Sequence, residues 1–361
     1  MRRAGALLVA FACAAAVRAQ APPTSIEVRV DSKAAREILQ TLARPKFEPT
    51  DAKLLEDMPA IALTIRDSNR STEVFERDLR AAFDTETRVA VFDFRSVRDA
   101  RAKWEALVSA IVPKEAEMGR QAVQRATAIL PSDRPAGMKL DAYLSFGVAG
   151  LADHIVAQEP DGRTIMVVDL ARVLGESDAE PLDSRVTRVA RLMAGEAFRQ
   201  AWHVYRVSSP AWNRPDPGLG QLEPLFRVVA ETGPVAGFSV DEAFFPLSTW
   251  LKDLEKRSMA DLERAAERVA ASEGELDRRI EVLTDLKRPD FIRRVAAPAG
   301  MFMTDGIRTT AGVDGVKAAL AGGPRAFFEA YDRATHKNKE LPPLSKSILA
   351  RLSGSKSAPK S

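Results

Sequence analysis

Two stretches decide the fold: TIMVVDLARVL at positions 164–174 and SRVTRVARLMAGEAFRQAWHVYR at positions 184–206. The β-branched apolar run at 164–170 is typical of a strand. The second stretch begins at Ser184, a residue type that is favoured as a helix N-cap. Its apolar residues recur at spacings of three and four, which predicts one long amphipathic helix. These residues are Val186, Val189, Ala190, Met193, Ala197, Ala201 and Val204.

The rest of the chain predicts a mainly helical α+β protein. A second strand is predicted at 140–146, and we expect it to pair with 164–170 in a small antiparallel sheet beside the long helix. We expect one domain over 20–352, with a helical part at 20–130, a core at 137–250 and a second helical part at 251–352. The small, polar and basic residues 353–361 predict a disordered tail.

The N-terminus has the pattern of a secretory signal peptide. Arg2 and Arg3 precede an apolar, alanine-rich run that is too short to span a membrane, and Val17-Arg18-Ala19 resembles a cleavage site. Residues 1–19 therefore predict export to the periplasm or the medium, with no stable membrane span after cleavage. The only cysteine, Cys13, would be removed with this segment.

Charge argues against a nucleic-acid partner. The full chain has 53 basic and 50 acidic residues, a net charge of +3. Removal of Arg2, Arg3 and Arg18 would reduce the basic residues from 53 to 50, which equals the acidic count. A neutral mature protein without an aromatic and basic pattern gives no electrostatic footprint for nucleic acid.

The long helix contains a stretch that resembles a peptidase motif, Gly195-Glu196-Ala197-Phe198-Arg199. Further along lies Glu231-Thr232-Gly233-Pro234-Val235-Ala236. With the two strands, this order resembles a bacterial, secreted family of gluzincin-type zinc-dependent peptidases, whose core is thermolysin-like. In that family His-Glu-x-x-His places two zinc ligands one helical turn apart, and a glutamate from a later helix is the third ligand.

The resemblance carries over to the glutamates and fails at the histidines. It implies a general-base position at Glu196 and a third-ligand position at Glu231. The two histidine positions fall on Gly195, which has no donor atom, and Arg199, which is a permanent cation. His203 is the remaining candidate ligand, but it lies about 10.5 Å along the helix axis from Glu196.

Two interpretations of Arg199 remain open. Its guanidinium could take the place of the metal and pair with both Glu196 and Glu231, because two buried carboxylates would otherwise repel each other. Alternatively, Arg199 and Glu196 form a solvated i,i+3 pair on the helix surface. His154 and His336 lie in unrelated contexts and are interpreted as surface or loop residues.

The functional expectation is a non-catalytic, peptidase-like protein of the cell envelope that needs no cofactor. Its remnant cleft would bind a peptide or protein ligand, docked on strand 164–170 as the edge of the sheet. Two alternatives remain: an active metallopeptidase with zinc in a rearranged site that uses His203, and a structural envelope protein without a ligand.

Overall fold

The computed structural model describes most of the chain. The described residues are 25–84, 90–133, 137–148, 153–175, 180–239, 249–272 and 274–353. The predicted signal peptide at 1–19 lies outside these residues, and so does the predicted tail except for its first residue, Ser353. None of the helices in the described ranges has both the length and the apolar character that a membrane crossing requires.

Helices dominate the described part of the chain, as predicted. Seven precede the second strand: α1 Lys33–Leu42, α2 Pro49–Glu56, α3 Pro59–Asp67, α4 Thr72–Ala81, α5 Phe94–Asp99, α6 Arg101–Ile111 and α7 Glu115–Ala128. Four follow the sheet: α8 Leu170–Leu174, α9 Leu182–Ser208, α10 Pro210–Asn213 and α11 Glu223–Ser239. The C-terminal part contains α12 Thr249–Ala271, α13 Leu276–Asp285, α14 Pro289–Phe291, α15 Ala297–Ala321, α16 Gly323–Lys337 and α17 Lys346–Leu352.

The sheet has four strands and a mixed direction. They are β1 Ile26–Asp31, β2 Met138–Ser145, β3 His154–Gln158 and β4 Thr164–Asp169, in the spatial order β1-β2-β4-β3. The predicted α+β class with a small sheet is therefore confirmed in its coarse form.

The predicted antiparallel pairing of the two recognised strands is wrong. β2 and β4 are neighbours, but they run parallel, with Ala142 opposite Met166. The reason is β3, a strand that the sequence patterns did not predict. The chain reverses once between β2 and β3 and again at the turn between β3 and β4, so β4 returns in the direction of β2.

The expectation that strand 164–170 is an edge is also wrong. β4 lies inside the sheet between β2 and β3, and all six of its residues are buried. The short strand β3 is the free edge on this side. It is joined to β4 by a tight turn in which Glu159 N donates to Arg163 O at 2.8 Å and Gly162 has a positive φ of 82°.

Helix α9 is the predicted long helix and supports one face of the sheet. Six of its seven predicted core residues are buried, and Val204 is half-buried. The helix begins at Leu182 after Pro181, so the predicted N-cap Ser184 lies inside its first turn. α9 packs against α7 and β2, whereas α3 covers the opposite face of the sheet.

Helix α11 is positioned by an unusually close crossing with α15. A Cβ atom at Gly233 would lie 2.3 Å from the carbonyl carbon of Gly300, and one at Gly300 would lie 2.4 Å from the carbonyl oxygen of Val229. The absence of a side chain at Gly233 permits this approach of α15, and the contact fixes where α11 places Glu231.

The Gly233–Gly300 crossing predicts a large loss of stability for Gly233→Ala. The added methyl group meets backbone atoms, so the two helices must separate, at a cost of about 1–3 kcal/mol in the free energy of unfolding. Urea denaturation followed by circular dichroism measures this loss. Gly237→Ala on the same helix is the matched control, because its Cβ would meet Met301 Cγ at an ordinary 3.6 Å. Equal effects of the two substitutions would contradict the assigned crossing.

Candidate ligand-binding cleft

A cleft of about 630 Å³ opens between β3, α9 and α11. This volume lies within the range of pockets that bind small molecules or short peptide segments. The residues that line it are Val156, Ala157, Gln158, Arg199, Gln200, Trp202, His203, Arg206, Glu231, Thr232, Val235, Ala236, Ile292 and Ala297. The stretches singled out in the sequence, the motif helix and the segment that starts at Glu231, thus form two of its walls.

Glu196 lies on the buried side of α9, where two residues of the same helix satisfy its carboxylate. Arg199 donates from Nε to Oε2 at 2.8 Å and from Nη2 to Oε1 at 2.6 Å, in a bidentate ion pair. Gln200 donates to Oε1 at 2.7 Å. The Glu196 side chain is 4% exposed and that of Arg199 is 49% exposed, so the pair extends from the core to the cleft.

Glu231 has a different cationic partner from the one expected. Arg206, not Arg199, approaches it, with Nη2 2.6 Å from Oε1. Trp202 holds the backbone of the same residue, because its indole Nε1 donates to Glu231 O at 3.0 Å. Each retained glutamate therefore has its own arginine, and the two arginines lie seven residues apart on α9, about 10.5 Å along its axis.

The two arginines lie in different electrostatic environments. The hydrogen bond to Glu196 raises the pKa of Arg199 above its ordinary value. Burial lowers the pKa of Arg206, and the carboxylate of Glu231 opposes this effect. Arg206 lies beside the rings of Trp202 and Trp212, with Cζ 5.7 and 5.9 Å from the two ring centroids, so its guanidinium packs against two aromatic side chains.

The donor set around Glu196 does not fit a catalytic zinc ion. Gly195 offers no side-chain atom, and a cation stands at Arg199. Both oxygens of Glu196 accept hydrogen bonds from Arg199, and Glu231 is paired with Arg206. In the ranges that the structure describes, no group of three or more His, Cys, Asp and Glu side chains is arranged to hold a metal ion.

The histidines lie differently from what the sequence suggested. His203 is exposed and lines the cleft. His154 was interpreted as a surface or loop residue, but it is the first residue of β3 and is half-buried near Glu196. Burial lowers its pKa, whereas the Glu196 carboxylate acts in the opposite direction. The sequence signal for this strand is the apolar run Ile155-Val156-Ala157, which is too short to distinguish a strand from a loop.

The free edge of β3 faces the cleft. On the β4 side, Asp153 O accepts from Asp169 N at 3.0 Å and Glu159 N donates to Arg163 O at 2.8 Å. Backbone groups alternate in direction along an antiparallel strand, so those of the even-numbered residues point away from β4. These residues are His154, Val156 and Gln158, and the last two line the cleft.

Comparison of the chain with models of known protein families, with curated proteins and with solved structures gives no match.

Removal of Arg199 alone is predicted to destabilise the fold. Arg199→Ala leaves the buried Glu196 carboxylate with one donor, at a cost of about 1–2 kcal/mol once the exposure of Arg199 is allowed for. Urea denaturation at pH 8 measures the loss.

The matched control is the double variant Glu196→Gln/Arg199→Gln, which removes both charges together. It should lose less stability than Arg199→Ala at pH 8. An Arg199→Ala variant that is as stable as the double variant at pH 8 would show that Glu196 does not need its cation.

Proposed function

We propose that this protein is a non-catalytic, peptidase-like binding protein of the periplasm or the extracellular medium. It takes an extended segment of a polypeptide into the cleft between β3, α9 and α11. The observation that carries the proposal is the position of β3, which is the edge strand of the described sheet and whose residues Val156, Ala157 and Gln158 line the cleft.

The mode of binding follows from the chemistry of a sheet edge. The N–H and C=O groups at 154, 156 and 158 point away from β4 and pair with no strand in the described ranges, so they offer the hydrogen-bonding pattern that an extended backbone requires. Backbone pairing gives affinity without demanding a particular sequence. The side chains of α9 and α11 then supply the contacts that distinguish one segment from another.

The charges in the cleft support binding rather than hydrolysis. A general base needs a carboxylate with a free oxygen that reaches a bound water. Both oxygens of Glu196 are engaged by Arg199, and Gln200 donates to one of them as well. Glu231 is bound by Arg206. The proposed envelope location rests on the signal-peptide pattern of residues 1–19.

Metal content separates this proposal from an atypical metallopeptidase. Protein purified without chelators and then dialysed against zinc should contain far less than one zinc ion per chain by atomic absorption. The Gly195→His/Arg199→His variant tests the same region, but Glu231 stays paired with Arg206 there. The double variant should therefore also retain far less than one zinc ion per chain after dialysis. A stoichiometric ion in the unmodified protein would contradict the proposal.

Polypeptide binding tests the role of the β3 edge. The probe is a fluorescein-labelled unfolded chain, such as reduced and alkylated α-lactalbumin, and binding is measured by fluorescence anisotropy. Val156→Pro removes one outward N–H while leaving the bonds to β4, since proline is tolerated on edge strands. We expect at least about a tenfold loss of affinity, comparable to the loss of one or two hydrogen bonds.

Val156→Thr is the control, because it keeps both the N–H and the shape of the side chain. It should bind the probe as the unmodified protein does. Equal affinity of the proline and threonine variants would contradict docking on this edge. Absence of probe binding by the unmodified protein would favour a structural envelope role.

A further inference from the structure

The floor of the cleft has a basic stripe. Arg199, His203 and Arg206 occur on α9 at spacings of four and three residues, so they share the face that lines the cleft. Glu231 is the only acidic residue among the described lining residues, and it is already paired with Arg206. Arg199 and His203 thus expose nitrogen donors on the floor of the cleft. Among the described lining residues, no acidic residue lies beside these two.

Arg199 has N–H donors that its ion pair with Glu196 does not use. A guanidinium carries five N–H groups in a rigid plane, and the pair with Glu196 uses the edge formed by Nε and Nη2. Nη1 makes no hydrogen bond with any residue that the structure describes. The second edge, formed by Nη1 and Nη2, can therefore bind another carboxylate bidentately.

The buried carboxylate of Glu196 orients this second edge in advance. Glu196 holds Arg199 through two hydrogen bonds and is itself held by Gln200. Because the side chain of Arg199 is fixed before a ligand arrives, little conformational entropy is lost when one binds. In this arrangement Glu196 is a positioning residue for a cation that contacts the ligand.

We propose that the cleft selects extended polypeptide segments with an aspartate or glutamate side chain directed at Arg199. This inference rests on the proposed function. In a strand that is added to β3, alternate side chains point to the same face of the sheet as His154, Val156 and Gln158. That face is the α9 side, because Gln158 Nε2 donates to Gln200 Oε1 at 3.4 Å.

The carboxylate comes from a side chain rather than from a chain terminus. The main chain of a docked strand runs along β3, and its terminal carboxylate would lie in line with the strand. A side chain on the inward face is directed towards the helix below. Inward positions are about 6.8 Å apart along a strand, and neighbouring turns of α9 present Arg199 and His203 about 5–6 Å apart, so the two spacings match closely.

A pair of synthetic peptides tests the selection. One is a ten-residue peptide of alternating Thr and Glu, acetylated and amidated at its ends, and the other has Gln in place of each Glu. With the unmodified protein, isothermal titration calorimetry at low salt should show at least about tenfold tighter binding of the Glu peptide, as a charge-assisted, bidentate contact requires. Equal affinity for the two peptides overturns the inference and leaves the proposed function standing.

The variant Glu196→Gln/Arg199→Gln assigns the preference to Arg199. It removes the cation and its buried anion together, so net charge and buried charge balance are kept. We expect it to bind both peptides with the affinity that the unmodified protein has for the Gln peptide. Glu76→Gln/Arg80→Gln removes an exposed i,i+4 pair of the same kind on α4 and is the control, which should keep the preference.

The remaining outcomes are also decisive. A preference that persists in the Glu196→Gln/Arg199→Gln variant overturns the role of Arg199. Binding that requires a free C-terminus, seen with uncapped versions of both peptides, overturns the assignment to a side chain. Failure of the unmodified protein to bind either peptide, together with failure to bind the unfolded polypeptide, overturns the proposed function itself.

Discussion

The burial of one carboxylate is the constraint on which the site depends. Glu196 points from α9 into the interior with a side chain that is 4% exposed. A charge in that position is stable only with hydrogen-bond donors around it and a cation beside it. Arg199 and Gln200, one turn further along α9, meet both requirements without any contribution from another element. α9 thus supplies both the donors and the cation that stabilise the buried charge, so the neighbouring strand β3 does not need to supply them.

The second carboxylate, that of Glu231, is paired with an arginine from another helix, and this contact joins two walls of the cleft. Arg206 of α9 reaches Glu231 of α11, and Trp202 binds the main chain of the same residue. The position of α11 is set from its other side by the contact of Gly233 with Gly300, where no side chain separates the backbones. A close backbone contact and a half-buried ion pair therefore act on the same helix from opposite sides.

Helical periodicity in the sequence made most of the fold predictable. The short strand β3 has no comparably strong pattern and was not predicted. α9 has apolar residues at regular spacing over about five turns, and the strand β4 has four consecutive apolar residues, Ile165 to Val168, so both were recognised. β3 has five residues and polar ones at both ends, which leaves an apolar run too short to distinguish it from a loop. Without β3, the direction of β4 and the identity of the edge could not be derived. The partner of Glu231 was missed for a related reason, since the contact of Arg206 depends on how α9 and α11 cross.

The placement of β3 bears on the tendency of a sheet edge to associate. An exposed strand edge is a hazard, because it pairs with the edges of other molecules. Here the edge is only five residues long, and α9, α11 and the segment around Ile292 and Ala297 surround the space beside it. In the proposed binding mode, a single extended segment enters this cleft, and the basic residues of α9 contact its side chains.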